Sequence, residues 1–253
     1  LAEKGMMERK SRINIVGIPV DDVTLGDALS VFEDLMKGPR LSLIATPNSE
    51  IVMMASKDPS FAEILDRAEL VIPDGIGLLY ASKMLGRPLK ERVAGIDFAQ
   101  GALERTAQLG YSVFFFGGRP GIAEKAAENK RREIPGLRIA GTRHGYFTEE
   151  EIPSIVEEIN GSGADFLCVA LGARKQEQFI DAHRDALHAR VGVGIGGSLD
   201  VWSGSLKRAP AFYRKNGLEW LYRLKQEPSR IRRIRVLPAF LANVATQRMK
   251  EEL

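Results

Sequence analysis

The sequence predicts an α/β fold, a largely parallel sheet with helices on both faces, followed by a basic helical C-terminal appendage. Three observations carry this. Apolar runs of strand length alternate with amphipathic stretches of helix length over most of the chain, and that alternation implies parallel strands covered on both faces. After Gly197 the rhythm stops, and turn formers and bases take over. Charge divides at the same place: from Ser203 onward 12 Lys and Arg face 4 Glu, so +8 of charge sits in the tail and −5 in the first 202 residues, within a net +3.

In order, residues 13–37 add an early strand and helix at one edge, with Thr24 as the N-cap. Strand-length runs follow at 41–45, 70–72, 112–116, 137–140, 166–171 and 191–195. Between them lie helical periodicities at 49–68, 76–85, 98–109, 122–133, 149–159 and 176–188. Residues 218–224 resume as a short aromatic helix that Pro228 ends. Ser229 can cap a final helix, interrupted or kinked at Pro238. Its apolar stripe, Ile231, Ile234, Leu237, Leu241 and Val244, is flanked by Arg230, Arg232, Arg233 and Arg235. Such a helix fits an anionic membrane interface, another subunit, or an ordinary packed position with a solvated charged face. The expected division is therefore a Rossmann-like catalytic core over 1–202 and a basic, membrane-proximal helical appendage over 203–253.

Composition narrows the function classes. At 253 residues with 44% hydrophobic and 27% charged residues, the chain has the make-up of a globular domain with a substantial core. The one cysteine, Cys168, lies inside the run DFLCVAL and reads as a core residue. It excludes an intramolecular disulfide and a Cys-rich metal site, and it fits a reducing compartment. No stretch reaches the roughly 18 apolar residues that span a bilayer, and the residues LAEKGMMERK lack a signal peptide's apolar core, so a cytosolic protein is expected. The basic tail points to an anionic partner. Nucleic acid is not the expected one, because the tail lacks a recognition module.

Chemistry is expected where loops follow strands, since ligands of open α/β sheets sit beyond the carboxyl ends of the strands. In ELVIPDGIGLLYASKML the strand stops at Pro73 and a helix begins near Gly75, which leaves Asp74 in the turn. Two readings compete there: a helix cap and a functional acid. The loop Thr46-Pro47-Asn48-Ser49-Glu50 offers hydroxyl and amide groups, with Ser49 able to cap the next helix. Arg92 precedes a helix expected to open on Asp97. Gly117 and Gly118 follow the strand SVFFF, and their N–H groups suit a diphosphate beside a helix dipole. Lys175 and Gln176 repeat the arrangement after the Cys168 strand. GVGIGG superficially matches a dinucleotide fingerprint, but a basic turn-rich segment follows it instead of a clear helix, so NAD binding is discounted. No DxD pair is present, and His144, His183 and His188 make no metal set. A diphosphate leaving group would then have to be met by arginines, lysines and helix N-termini, with no metal and no cofactor.

The segments TPNSEI, VIPDGIG, RVAGID, FFFGGRPGIA, HGYF, LGARKQEQFI, GGSLDVWSGSLKRAP and GLEWLYRLKQEPSR, in this order, closely resemble the WecG/TagA/CpsF family of glycosyltransferases over about residues 13–235. GGSLDVWSG and KRAP are most like its TagA branch. The resemblance implies transfer of N-acetylmannosamine from its UDP donor to the 4-hydroxyl of N-acetylglucosamine on undecaprenyl diphosphate, which commits that lipid to the linkage unit of wall teichoic acid. It implies Asp74 as the base of an inverting reaction, with Thr46 and Asn48 beside it and Arg92 and Gln176 lining the same pocket. Tyr146 and Asp200 would meet the donor nucleotide. Arg223, Arg230 and Arg233 would close over the pocket and take the diphosphates. The partners it implies are a UDP-sugar, a lipid-linked diphosphate acceptor and the inner face of the cell membrane. One departure is Arg174, where the family usually has proline, and it bears on donor geometry. On this reading, deleting everything after Gly217 cripples transfer but spares the core. Relatives using UDP-glucose or UDP-N-acetylmannosaminuronic acid remain alternatives, as does a non-enzymatic anion-binding protein favoured by the RIRRIR run.

Overall fold

A computed structural model describes residues 11–228, 231 and 235–252. Strands β1 (Arg12–Ile15) and β2 (Ile18–Asp21) pair antiparallel as a hairpin. Helix α1 (Leu25–Leu35) follows, and Thr24 caps it as expected, accepting the Asp27 N–H in a reciprocal capping box. Strands β3 (Ser42–Ala45), β4 (Leu70–Val71), β5 (Ser112–Gly117), β6 (Arg138–Arg143), β7 (Phe166–Ala170) and β8 (Val191–Gly194) form one parallel sheet in the order β4-β3-β8-β7-β5-β6. The expected α/β class and parallel sheet are both present. The early strand, however, is a two-stranded sheet of its own beside β4. Asp21 accepts the Val71 N–H at 2.7 Å and the Arg12 Nε–H at 3.0 Å. A carboxylate on that edge blocks further strand pairing.

Alternating side chains of the strands feed two cores. Phe114, Phe116, Leu167 and Val169 face one side, where they join Ile51, Phe61 and Phe179. Val113, Phe115, Phe166 and Cys168 face the other, with Phe32, Phe98 and Ala126. The first side is covered by α2 (Ser49–Ala55), α3 (Pro59–Arg67), α4 (Ile76–Met84), α7 (Ile152–Gly161) and α8 (Lys175–Ala182). The second is covered by α1, α5 (Gly95–Gln108), α6 (Ile122–Glu133) and α9 (Ser198–Trp202). Adjacent strands β3 and β8 thus send their following helices to opposite faces, which makes their carboxyl ends the switch point at which open α/β sheets bind ligands.

Several expected boundaries are corrected. The helix of 49–68 is two, because Asp58 accepts the Phe61 N–H as an N-cap and Pro59 begins a new helix. The helix of 176–188 stops at Ala182, after which the Asn160 side chain binds the Ala186 carbonyl and the His188 N–H. GVGIGG does lead into a helix, the short α9.

The tail continues as α10 (Ala211–Lys215), α11 (Glu219–Gln226) and α12 (Val236–Glu251). Pro238 falls in the first turn of α12, where the absent N–H costs no intrahelical bond; Ile231 is helical and Arg235 is in a turn, so the expected interruption falls just before this proline. Ser229, Arg230, Arg232, Arg233 and Ile234 lie outside the described residues. The apolar stripe of α12 packs on α2 and α4, and Phe240 and Val244 are fully buried in the first core. Gln247 bonds Asn14 O and the Val16 N–H at the hairpin turn, and Arg248 bonds Met84 O. For the described part of that stripe, the packed-helix reading holds.

Gly117 ends β5 at φ +133°, and a Cβ there would lie 2.3 Å from the Ala170 carbonyl oxygen. Gly117→Ala therefore forces apart the central strands β5 and β7. The expected cost is about 2 kcal/mol or more, read as a lower urea midpoint.

Candidate active site

Three turns build the site from the carboxyl ends of β3, β4 and β8. After β3, Asn48 takes extended geometry and accepts the N–H groups of Glu50 and Ile51 at 2.9 and 3.1 Å, so Asn48, not Ser49, caps α2. Its oxygen is committed to the helix, which leaves the amide nitrogen for a ligand. Thr46, 8% exposed, donates its hydroxyl to the Gly194 carbonyl at the end of β8, at 3.1 Å. After β4, the Asp74 N–H bonds Pro47 O at 3.0 Å and the Val93 N–H bonds Pro73 O at 3.1 Å. These bonds lock the Asp74 turn to the turns on either side of it.

Gly75, at φ +87°, turns the chain into α4 and is its N-cap, with no side chain to offer. Asp74 does not cap α4. Its carboxylate instead accepts the Gly95 N–H at the start of α5. The cap reading of Asp74 is thus overturned for the helix that follows it, and so is the weak base that a capping position would make. Asp74 is half-buried, and desolvation of its carboxyl pushes the pKa from 3.8 to about 6. Arg92 and the Gly95 N–H pull it down, Glu219 pushes it up, and Arg223 pulls it down again. An acid with this pKa is ionised at neutral pH and still basic enough to take a proton in a transition state.

The tail reaches this site through polar contacts of Glu219, Arg223 and Arg208. Arg92 Nη2 donates to Glu219 Oε2 at 2.5 Å, Arg223 Nη2 donates to Gly197 O at 3.2 Å, and Arg208 pairs with Asp97. Asp97 lies in the first turn of α5 and does not open that helix, which starts at Gly95. Arg223 thus lies near Asp74 and Arg92, beside the turns that carry Thr46 and Asn48, whereas Arg230 and Arg233 lie outside the described residues.

The remaining candidates lie elsewhere along the same edge. Gln176 is 3% exposed and tied on both ends: Nε2 donates to Glu177 Oε1 at 2.8 Å, and Oε1 accepts the Gly196 N–H at 3.1 Å. It grips the loop after β8 more than it faces an open cavity. Glu177 is also buried, which raises its pKa. Gly118 spends its N–H on the Ala170 carbonyl at 3.1 Å, so that donor of the expected Gly117–Gly118 cradle is occupied. Gly145 sits against that turn through a bond to Gly118 O, which puts exposed Tyr146 beside it. Lys175 is exposed at the start of α8, and Asp200 is half-buried on α9. Among the described residues no group of three or more His, Cys, Asp or Glu can hold a metal ion, and no helix is long and apolar enough to cross a membrane.

The residue that sequence reasoning missed is Glu219. Its signal was available: Glu219 and Arg223 are four apart on one helix and so share a face.

Residues 13–253 match the model of the glycosyl transferase WecG/TagA/CpsF family. A protein of Bacillus spizizenii is 38% identical over 203 residues, covering 80% of this chain and 78% of its own. One from Staphylococcus aureus is 29% identical over 242 residues, covering 95% and 94%. Both bear the name N-acetylglucosaminyldiphosphoundecaprenol N-acetyl-beta-D-mannosaminyltransferase.

Proposed function

The chain belongs to the WecG/TagA/CpsF family of glycosyl transferases, and from that premise we propose that it moves N-acetylmannosamine from UDP-N-acetylmannosamine to the 4-hydroxyl of N-acetylglucosamine on undecaprenyl diphosphate, with inversion. The carrying observation is Asp74: a half-buried carboxylate raised to about 6, at a turn between the starts of α4 and α5 and within the field of Arg92 and Arg223. As the acceptor oxygen bonds to the anomeric carbon, its proton passes to Asp74 and the bond from that carbon to the diphosphate oxygen breaks. UDP leaves with the electron pair. Arg92, Arg223 and the helix N-termini supply positive charge for the diphosphates without a metal. Thr46, by holding Gly194, and Gln176, by holding Gly196, set the walls of the crevice.

A lipid-linked acceptor fits a reaction at a membrane surface, which we take to be the inner face, with 203–253 as the membrane-proximal part. Exposed Phe212, Trp220, Leu221 and Ile231, in the basic tail, support that reading. So does the character of such surfaces, in which aromatic and basic side chains bind anionic interfaces.

The test is a panel of UDP-sugars against a short-chain lipid diphosphate acceptor, in the presence of EDTA. UDP-N-acetylmannosamine is expected to turn over, with a product of inverted anomeric configuration. Because the base must be ionised, the rate rises tenfold per pH unit on the acid side and levels off above about pH 6. Selective turnover of UDP-glucose or UDP-N-acetylmannosaminuronic acid would move the chain to another branch of the family. No turnover with any donor, together with salt-resistant binding of RNA or DNA, would favour the anion-binding reading.

A further inference from the structure

Arg92 acts on two acids, and the Val93 N–H bond to Pro73 O ties its segment to the Asp74 turn. Glu219 takes its Nη2 at 2.5 Å in an ion pair whose side chains are only 17% and 22% exposed, and Asp74 lies within its field. The first acid comes from the tail and the second from the body. A planar guanidinium with one edge bonded to a carboxylate is fixed in orientation and has part of its charge already answered. Were Glu219 absent, Arg92 would be free to turn its donors and its full charge on Asp74, holding that carboxylate as a stable anion with little appetite for a proton.

We infer that Glu219 is a positioning residue of the active site: by pairing with Arg92 across the seam between body and tail, it orients that guanidinium and keeps Asp74 a competent base. The inference rests on the transferase reading for its kinetic consequences, but not for the coupling itself. Among the described residues, the groups that act most on Asp74 come from around the start of α5 and from α11. The segment entering α5 contributes Arg92, the first residue of α5 contributes the Gly95 N–H, and α11 contributes Glu219 and Arg223. Helix α11 therefore brings one acid and one base to the site, and Glu219 offsets part of what Arg92 and Arg223 do together. Docking of α11 and the strength of the base are then one event. A body without its tail keeps Asp74 but loses the partner that holds Arg92 away from it.

The experiment uses the full chain and follows the Asp74 carboxyl by carbon-13 NMR, its signal identified by loss in Asp74→Asn. Glu219→Gln keeps an oxygen for Arg92 and removes the charge; Glu219→Ala removes both; Glu219→Asp restores the charge. In Glu219→Gln and Glu219→Ala the Asp74 midpoint is expected to fall by about half a unit to one unit. kcat falls with it, about threefold to tenfold, and the acid limb of the pH–rate profile moves down by the same interval. Glu219→Asp recovers most of both. The KM for the acceptor in Glu219→Gln stays within about twofold of wild type, since the hydrogen bond that docks α11 survives.

An unmoved Asp74 midpoint in Glu219→Gln overturns the inference, whatever happens to Glu219→Ala. A rise in KM alone, with kcat and the acid limb unchanged, also overturns it and leaves Glu219 as a tail-docking contact only. If the midpoint falls but the wild-type chain turns over no UDP-sugar, the coupling stands and the transferase reading fails.

Discussion

Asp74→Asn is expected to lower kcat by about 10³-fold, within the range lost when a positioned base is removed, and to leave the folded protein more stable at neutral pH than the wild type. Both halves follow from the environment of the carboxyl. Its pKa rises from 3.8 to about 6 because the fold strips water from it more than Arg92, the Gly95 N–H and Arg223 compensate. An acid whose pKa rises on folding holds its proton more tightly in the folded state. Between about pH 4 and 6 the folded chain keeps a proton that the unfolded chain has released, so stability falls as pH rises through that window. Above it, the ionised carboxylate costs up to about 3 kcal/mol, less whatever water in the crevice returns.

Asparagine carries no such cost. Urea unfolding of Asp74→Asn should show a gain over wild type at pH 7 to 8 that disappears near pH 4, beside a transfer assay that reads almost nothing. A variant more stable yet inactive separates chemistry from folding. Full activity in Asp74→Asn would end the base assignment, and a variant less stable than wild type at pH 7 would end the account of its surroundings.

The second large effect concerns α12. Truncation after Gly217 is expected to abolish transfer, because Glu219 and Arg223 leave the site, but it will not leave the body intact as the sequence suggested. Phe240 and Val244, both fully buried, fill the face between α2 and α4, and without them Met53, Leu78 and Ala81 would meet water. Removing a buried Phe ring alone costs about 3 to 5 kcal/mol through lost burial and the cavity left behind. Phe240→Ala should therefore lower the thermal midpoint strongly, with loss of activity following the loss of folded protein. Arg223→Ala provides the contrast: transfer falls while the melting curve barely moves. If Phe240→Ala melts like wild type, α12 is not part of the core. If the truncated chain turns over normally, nothing in the tail serves the site.

The difference between these two cases tracks what the sequence made legible. Asp74 was readable as an acid in a strand-to-helix turn because Leu70, Val71 and Ile72 end at Pro73 and helical spacing resumes at Ile76, all within one short window. Thr46 and Arg92 were readable in the same way, as polar residues beside strand ends. The role of Asn48 as the cap of α2 was within reach too, and was given to its neighbour Ser49, because both residue types serve at that position. The splitting of 49–68 at Asp58-Pro59 was written in a local signal that the run of apolar periodicity obscured.

Local pattern thus determined the parallel sheet, most of the order and type of the elements and the turns that hold the candidate site, since backbone geometry and burial period depend on neighbours along the chain. Tertiary structure alone decided the rest. That Asp74 caps no helix of its own, that its carboxyl is desolvated, that Glu219 occupies Arg92 and that α12 closes the first core all depend on residues far apart in sequence. A pKa is set by water excluded and charges brought near, and neither quantity exists until the chain is folded.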